Sequence, residues 1–226
     1  MDHEYLTNIL LDDNVVRTFH FEYESNKDFK DYLLNKLPQI EDCVHLKQDN
    51  PWHIYNCFDH ILHSIEEINK LSKGLSNKER ELLAYTMLLH DIGKPQCHLR
   101  RYSKLYGREI DSFFGHAKVG KELALKECPS LGFSEQETKE IAMLVEYHDC
   151  FINLVTEPDE NKYHILLNKD YIIGLMRLFD EVGESKKLIK YLAMVGRADS
   201  MAQNPALTGA SFKVLDFFDK LLSEMI

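Results

Sequence analysis

An imidazole and a carboxylate stand side by side at His90 and Asp91, in the string Met87-Leu88-Leu89-His90-Asp91-Ile92-Gly93-Lys94-Pro95. In a stretch otherwise set by apolar residues such a pair needs partners, either as a hydrogen-bonded core pair or as part of a larger ligand set. Four further side chains of the same two types occur in similar surroundings: His60, His116 directly after Gly115, His148 at the end of an apolar segment, and Asp199 in Gly196-Arg197-Ala198-Asp199. Together they offer imidazole nitrogen and carboxylate oxygen without a thiolate. That donor set suits an octahedral or near-octahedral divalent ion of the Mn, Fe, Co or Ni kind better than a structural zinc. Their distance in sequence is no obstacle if the helices carrying them face one bundle interior.

The elements that must position these residues read as mainly helical. Glycine and proline are sparse, at 10 and 6, and apolar residues recur at three- and four-residue spacing. Phe58, Ile61, Ile65, Ile68 and Leu71 mark one stripe of a helix expected from Trp52 to Lys73, stopped by Gly74. Ser76-Asn77-Lys78-Glu79 is a capping-box pattern that opens the next helix, which should end near Ile92-Gly93. Ser134 to Glu137 repeats the signature, and further helices are expected at 116–127, 168–182, 185–203 and 208–225. Two places break the pattern. Val15 to Tyr23 alternates loosely and suggests a short strand, and the segment around 103–113 suggests a hairpin with Gly107 at its turn. Residues 1–45 are expected to form an N-terminal extension or cap on a domain spanning 46–226.

Composition narrows the class. The chain has 226 residues, with 27 Lys plus Arg against 37 Asp plus Glu, a formal charge of −10, and 44% hydrophobic residues, enough for a core. A general nucleic-acid coat or a basic membrane-surface protein is excluded, since both draw affinity from positive charge. No apolar run approaches the ~20 residues of a membrane span, and the acidic start Met1-Asp2-His3-Glu4 is unlike a secretory signal, so a cytoplasmic location is expected. Five cysteines, none in a CxxC arrangement, speak against both a disulfide framework and a thiolate zinc site. His3, His20, His45, His98 and His164 read as ordinary surface or loop residues, and His63, three residues after His60, as a weaker candidate donor.

The order His, His-Asp, His, His, Asp resembles the HD-domain phosphohydrolase superfamily. The likeness is greatest to the HD domain of bacterial CCA-adding tRNA nucleotidyltransferases, through Gln48-Asp49-Asn50-Pro51-Trp52-His53-Ile54-Tyr55, His90 to Pro95, Phe113-Phe114-Gly115-His116 and Leu144-Val145 before His148. The resemblance implies an all-α HD helical bundle. It also implies that His60, His90, Asp91 and Asp199 are primary metal ligands, with Asp91 bridging and His116 and His148 holding a second ion. The cofactor would be one or two divalent ions among Mn, Ni, Co, Fe or Mg. The Gly-Ser loop and DxD pair of the nucleotidyltransferase head are not found in this sequence, so hydrolysis by a free-standing HD unit is expected rather than polymerisation.

A divalent ion in such a site activates water and offsets charge on phosphorus. Lys94 resembles a phosphate-facing lysine of HD relatives, and Lys94, His116 and His148 join Asp91 as candidate catalytic residues. Between Lys94 and Lys121 seven basic residues face two acidic ones, a local +5 in a chain of −10. That makes Arg100, Arg101 and Lys118 candidate substrate-binding residues beside Lys94. The expected reaction is hydrolysis of a small phosphorylated substrate, a nucleotide phosphomonoester or 2′,3′-cyclic phosphate. A dinucleoside polyphosphate or alarmone hydrolase, and a non-catalytic nucleotide- or RNA-associated binding module, are the alternatives. Asp149 is a candidate to orient His148, and Trp52, Tyr55, Tyr102, Tyr106, Phe113 and Phe114 are candidates for a base-stacking wall, although core packing accounts for most of them.

Overall fold

The computed structural model describes residues 1–151, 154 and 166–225; His164 lies outside them. The architecture is all-α with one small hairpin. Helices α1 (His3–Leu10), α2 (Val15–Ser25), α3 (Lys27–Lys36) and α4 (Gln39–His45) precede the long α5 (Cys57–Leu71) and α6 (Asn77–Leu89). An antiparallel pair, β1 (Leu99–Ser103) and β2 (Arg108–Ser112), is followed by α7 (His116–Glu127), α8 (Glu135–Tyr147), α9 (Lys169–Asp180), α10 (Ser185–Met201) and α11 (Gly209–Met225). Among the described residues no helix is long and apolar enough to cross a membrane, and all five cysteines are free.

Two capping boxes start the helices that lead into the site. The Ser76 hydroxyl accepts from the Glu79 amide while the Glu79 carboxylate accepts from the Ser76 amide, and Ser134 and Glu137 do the same for α8. Each pair satisfies backbone donors that a helix start otherwise leaves open. Helix α5 begins at Cys57 rather than Trp52, because the Asn56 side chain accepts from the Asp59 amide and fixes the N-cap there. Residues 48–56 are thereby left as a loop that crosses the site.

The strand expected at Val15 to Tyr23 is a helix. Val15, Phe19 and Tyr23, which suggested alternation, are buried at four-residue spacing, while Phe21 between them is 64% exposed. A stripe at i, i+4 and i+8 coincides with every second position of a period-two pattern, which is why the two readings compete over so short a segment. The hairpin is present, with Gly107 at φ +63° in its turn and Arg101 opposite Ile110.

Helices α5, α6, α8 and α10 surround a continuous core that includes Ile61, Ile65, Leu83, Leu88, Leu144, Leu188 and Leu192. The first four helices add to it. Phe19 packs edge-on against both Phe29 and Phe58, and His3 stacks on Tyr85 of α6 at 5.4 Å. His3, His20 and His98 are thus tethers rather than bystanders: their Nε2 atoms lie 2.6 Å from Glu81, 2.8 Å from Asp59 and 2.9 Å from Asp111.

Candidate metal centre

The helix ends bring the six singled-out side chains to one buried point. His60 comes from the first turn of α5, His90 and Asp91 from the end of α6, His116 from the start of α7, His148 from the end of α8 and Asp199 from the last part of α10. His60, His90, Asp91, His148 and Asp199 are each at most 3% exposed, and the His116 side chain is 13% exposed. Gly115, at φ +88°, takes the left-handed conformation that turns the chain into α7 and aims His116 inward. Gly93 allows α7 to approach, since a Cβ there would lie 2.3 Å from the His116 carbonyl oxygen and 2.8 Å from the Gly120 nitrogen.

Asp91 stands between two imidazole pairs. Its Oδ2 is 3.3 Å from His60 Nε2 and 3.3 Å from His90 Nε2. Its Oδ1 is 3.2 Å from His116 Nε2 and 3.8 Å from His148 Nε2. Asp199 Oδ1 closes the first pair, 2.9 Å from His60 Nε2 and 3.8 Å from His90 Nε2. Two overlapping donor groups result, His60 with His90 and Asp199, and His90 with Asp91 and His148.

Hydrogen bonding on the far side of each ring decides what faces inward. Nδ1 of His90, His116 and His148 donates to the carbonyls of Met87, Phe113 and Val145 at 2.7, 2.9 and 2.7 Å, and Nδ1 of His60 to that of Ala202 at 3.3 Å. A carbonyl only accepts, so each neutral ring carries its proton on Nδ1 and turns the Nε2 lone pair toward the centre. Val145, and not Asp149, therefore orients His148. Lone pairs then face lone pairs, with His60 and His90 Nε2 3.3 Å apart and His116 and His148 Nε2 3.2 Å apart. Both Asp91 oxygens are buried without a well-directed hydrogen bond. Converging lone pairs around a buried carboxylate are unfavourable without positive charge among them. The residues present fit one or two divalent cations.

One cation is supplied by the chain. Lys94, only 4% exposed, places Nζ 2.5 Å from Asp91 Oδ2, 2.8 Å from Gln48 Oε1 and 3.1 Å from His53 Nε2. His53 Nδ1 donates to Asn50 Oδ1 at 2.8 Å, which leaves its Nε2 free to accept from the ammonium. Burial, and then the charge of Lys94, push the His53 imidazole well below its ordinary range. Burial opposes the charged form of Lys94, yet Asp91 beside it raises its pKa on balance. Burial likewise works against ionised Asp91, but His90 and Lys94 outweigh it and hold the carboxyl well below the usual carboxylate range. Asp199 is held low in the same manner, by His60 against the cost of burial.

The other expected residues lie outside this cluster. Arg100 is on β1 and exposed, paired with Asp49 at 3.1 Å and Asp111 at 3.2 Å, so it ties the hairpin to the 48–56 loop. Arg101 on β1 and Lys118 on α7 are exposed. His63 stacks on Tyr55 at 4.2 Å and reaches Glu66 instead of the centre. Gln48, Asn50 and Gln203 are functional neighbours that residue types alone did not single out. Gln203 donates to Asp199 Oδ1 at 3.1 Å, and its spacing four residues after Asp199 was the available signal.

Residues 57–169, half of the chain, match the HD domain family. The bifunctional uridylyltransferase/uridylyl-removing enzyme of Ruegeria pomeroyi is 28% identical over 136 residues, covering 54% of this chain and 13% of that enzyme. The enzyme of the same name from Gluconobacter oxydans is 30% identical over 125 residues, covering 50% and 12%. This chain therefore spans only a small part of those relatives. The matched segment holds His60, His90, Asp91, His116 and His148, and the fold adds Asp199 from outside it: the chain belongs to the HD domain family.

Proposed function

We propose that the protein is a metal-dependent phosphohydrolase acting on a small phosphorylated substrate, a nucleotide phosphomonoester or 2′,3′-cyclic phosphate. The observation that carries this reading is the placement of Asp91, with one carboxylate oxygen toward His60 and His90 and the other toward His116. His60, His90, Asp91 and Asp199 would hold one divalent ion (Mn, Ni, Co, Fe or Mg), and Asp91 with His116 and His148 a second. Such an ion, when bound, supplies polarisation of a phosphoryl oxygen and activation of water.

The chain's own side chains account for the rest. Lys94 keeps its positive charge in the buried site and can meet a phosphate oxygen. His116, the most exposed of the six donors, would be free to pass a proton to the leaving group only in a site without the second ion, and only in its protonated form. Arg101 and Lys118 add positive charge outside the centre, which draws in a phosphorylated substrate. Nucleotide substrates are favoured by the resemblance of the strings at 48–55, 90–95 and 113–116 to the HD domain of CCA-adding tRNA nucleotidyltransferases. They are favoured also by the uridylyl-removing activity in the relatives' names, since a uridylyl group is a nucleotide unit attached through phosphorus.

The test is a phosphoester screen of the purified protein with each candidate ion added, run beside Asp91→Ala. Hydrolysis of a nucleotide monoester or cyclic phosphate, lost in Asp91→Ala, is the expected result. Turnover confined to dinucleoside polyphosphates or alarmones would move the assignment to a longer substrate. Nucleotide binding without cleavage of any ester would make the protein a binding module.

A further inference from the structure

Trp52 is the single tryptophan of the chain, and its surroundings set it apart from the other aromatic residues. It is 39% exposed, and its ring meets Tyr106 of the hairpin turn, itself 37% exposed, at a centroid distance of 5.8 Å and an interplanar angle of 89°. Phe113, by contrast, is buried, and Tyr55 is stacked on His63. Packing explains those two, but not most of the six candidates: Tyr102 and Phe114 are 64% and 94% exposed, and Trp52 and Tyr106 are exposed rings that meet each other.

The backbone that carries Trp52 is fixed on both sides by hydrogen bonds. Its amide donates to Asn50 Oδ1 at 3.1 Å and its carbonyl accepts from the Asn204 amide at 2.8 Å, while the Asn204 side chain donates to the Pro51 carbonyl at 2.9 Å. Asn204 follows Gln203, the residue that holds Asp199. The next residue along the chain, His53, packs its ring against His60 at 5.1 Å and accepts from Lys94. Tyr106 is fixed through the hairpin, where Asp49 takes Arg108 at 2.8 Å and Arg100 at 3.1 Å, and the Asp111 amide donates to the Asp49 carbonyl at 2.9 Å. A solvent-facing indole whose backbone is hydrogen-bonded on both sides, and which directly precedes the His53 that accepts from Lys94, is a different object from a scattered surface aromatic.

Two perpendicular rings make a corner. A flat heterocycle can lie face to face on one ring while its edge meets the face of the other, and both contacts are favourable for π systems. Stacking of this kind tolerates any base, because every base has a π face. Ribose 5-phosphate offers no such surface. We propose that Trp52 and Tyr106 form the nucleobase-recognition corner of the substrate site, so that the substrate class is a nucleotide rather than a sugar phosphate. This inference rests on the phosphohydrolase reading and specifies its substrate.

Trp52 reports on its own occupancy. In the protein, with and without added Mn, indole fluorescence is titrated with a nucleoside monophosphate, ribose 5-phosphate and orthophosphate. The nucleotide is expected to quench saturably and the other two to leave the emission unchanged. Tyr106→Ala, at an exposed turn, retains the fluorophore and should weaken nucleotide binding about tenfold, the scale of one lost base–aromatic contact. Trp52→Ala should raise KM for nucleotide by a similar factor, and Trp52→Phe should restore most of the difference. Equal response to nucleotide and ribose 5-phosphate, or unaltered nucleotide affinity in Tyr106→Ala, would overturn the corner. If esters are hydrolysed but the fluorescence results fail, the phosphohydrolase reading survives alone. If nucleotide quenches but nothing is hydrolysed, the corner survives and that reading fails.

Discussion

His60 and His90, thirty residues apart in sequence, face each other through Nε2 atoms 3.3 Å apart while their Nδ1 atoms donate to the carbonyls of Ala202 and Met87. Neither neutral ring has a proton to share across that gap. The contact is favourable only when positive charge, a proton or a metal cation, comes between the two lone pairs, and the first predictions follow from the metal case.

Divalent ions should stabilise the fold. A ligand at one hundred times its Kd adds about 2.7 kcal/mol, which in a protein of this size corresponds to a rise in Tm of roughly 5–10 °C. Thermal unfolding after chelation and after adding back Mn, Co, Ni or Mg measures it. Asp91→Ala should abolish the increment, and an unchanged Tm in the wild type would contradict a metal centre.

Stoichiometry should separate the two imidazole pairs. His116→Ala and His148→Ala are expected to lower bound metal by up to one ion per chain while leaving the His60 side loaded. His60→Ala and Asp199→Ala should do the reverse, and Asp91→Ala should remove both. Elemental analysis of protein purified without chelator checks this. Equal metal content across the series would mean that these atoms are not ligands.

Gly93→Ala, in the turn after α6, should be costly. The added Cβ would sit 2.3 Å from the His116 carbonyl, so α7 must retreat. Overpacking of this kind costs roughly 1–3 kcal/mol, and displacement of His116 should weaken metal binding as well. Denaturant unfolding together with metal titration would show both losses in one variant.

Acid stability depends partly on the two capping boxes. Glu79 is held down to about 2 by the Ser76 hydroxyl, with Tyr191 and the Ser76 amide adding to it. Glu137 is held down to about 2 by Lys78 and then Ser134. Because the folded carboxyls release their protons at lower pH than the unfolded ones, their stabilisation is complete above the ordinary glutamate pKa of about 4.3 and is lost as pH falls toward 2. Glu79→Gln and Glu137→Gln should therefore be less stable than wild type at neutral pH, with the gap closing between about pH 4 and 2. A gap that stays constant across acid titration would show that the carboxylates' charge is not the source.

Residues 1–45 are proposed as a cap on the domain spanning 46–226. Phe19 contacts Phe29 in the cap and Phe58 in α5, so Phe19→Ala should destabilise the whole protein by about 3–5 kcal/mol. A single cooperative transition at lower denaturant is the expected form. Separate melting of an N-terminal unit would divide the two.

Legible along the chain alone are the donor types, the two capping boxes, the helical stripes of α5, α6 and α8, and the hairpin turn at Gly107. Each is local: caps, stripes and turns depend on residues within a few positions of one another. Sequence alone misled at α2, where a short stripe satisfied two periods at once. It did not identify Gln48 and Asn50 as the supports of Lys94 and His53, or separate Trp52 and Tyr106 from the buried aromatics. Those facts were decided by the tertiary structure, because they depend on how helix ends and loops remote in sequence meet, as Ala202 meets His60 across 142 positions. Spacing along a chain carries the identity of a ligand atom, but the direction of its lone pair is set by whichever carbonyl the packed fold places behind the ring.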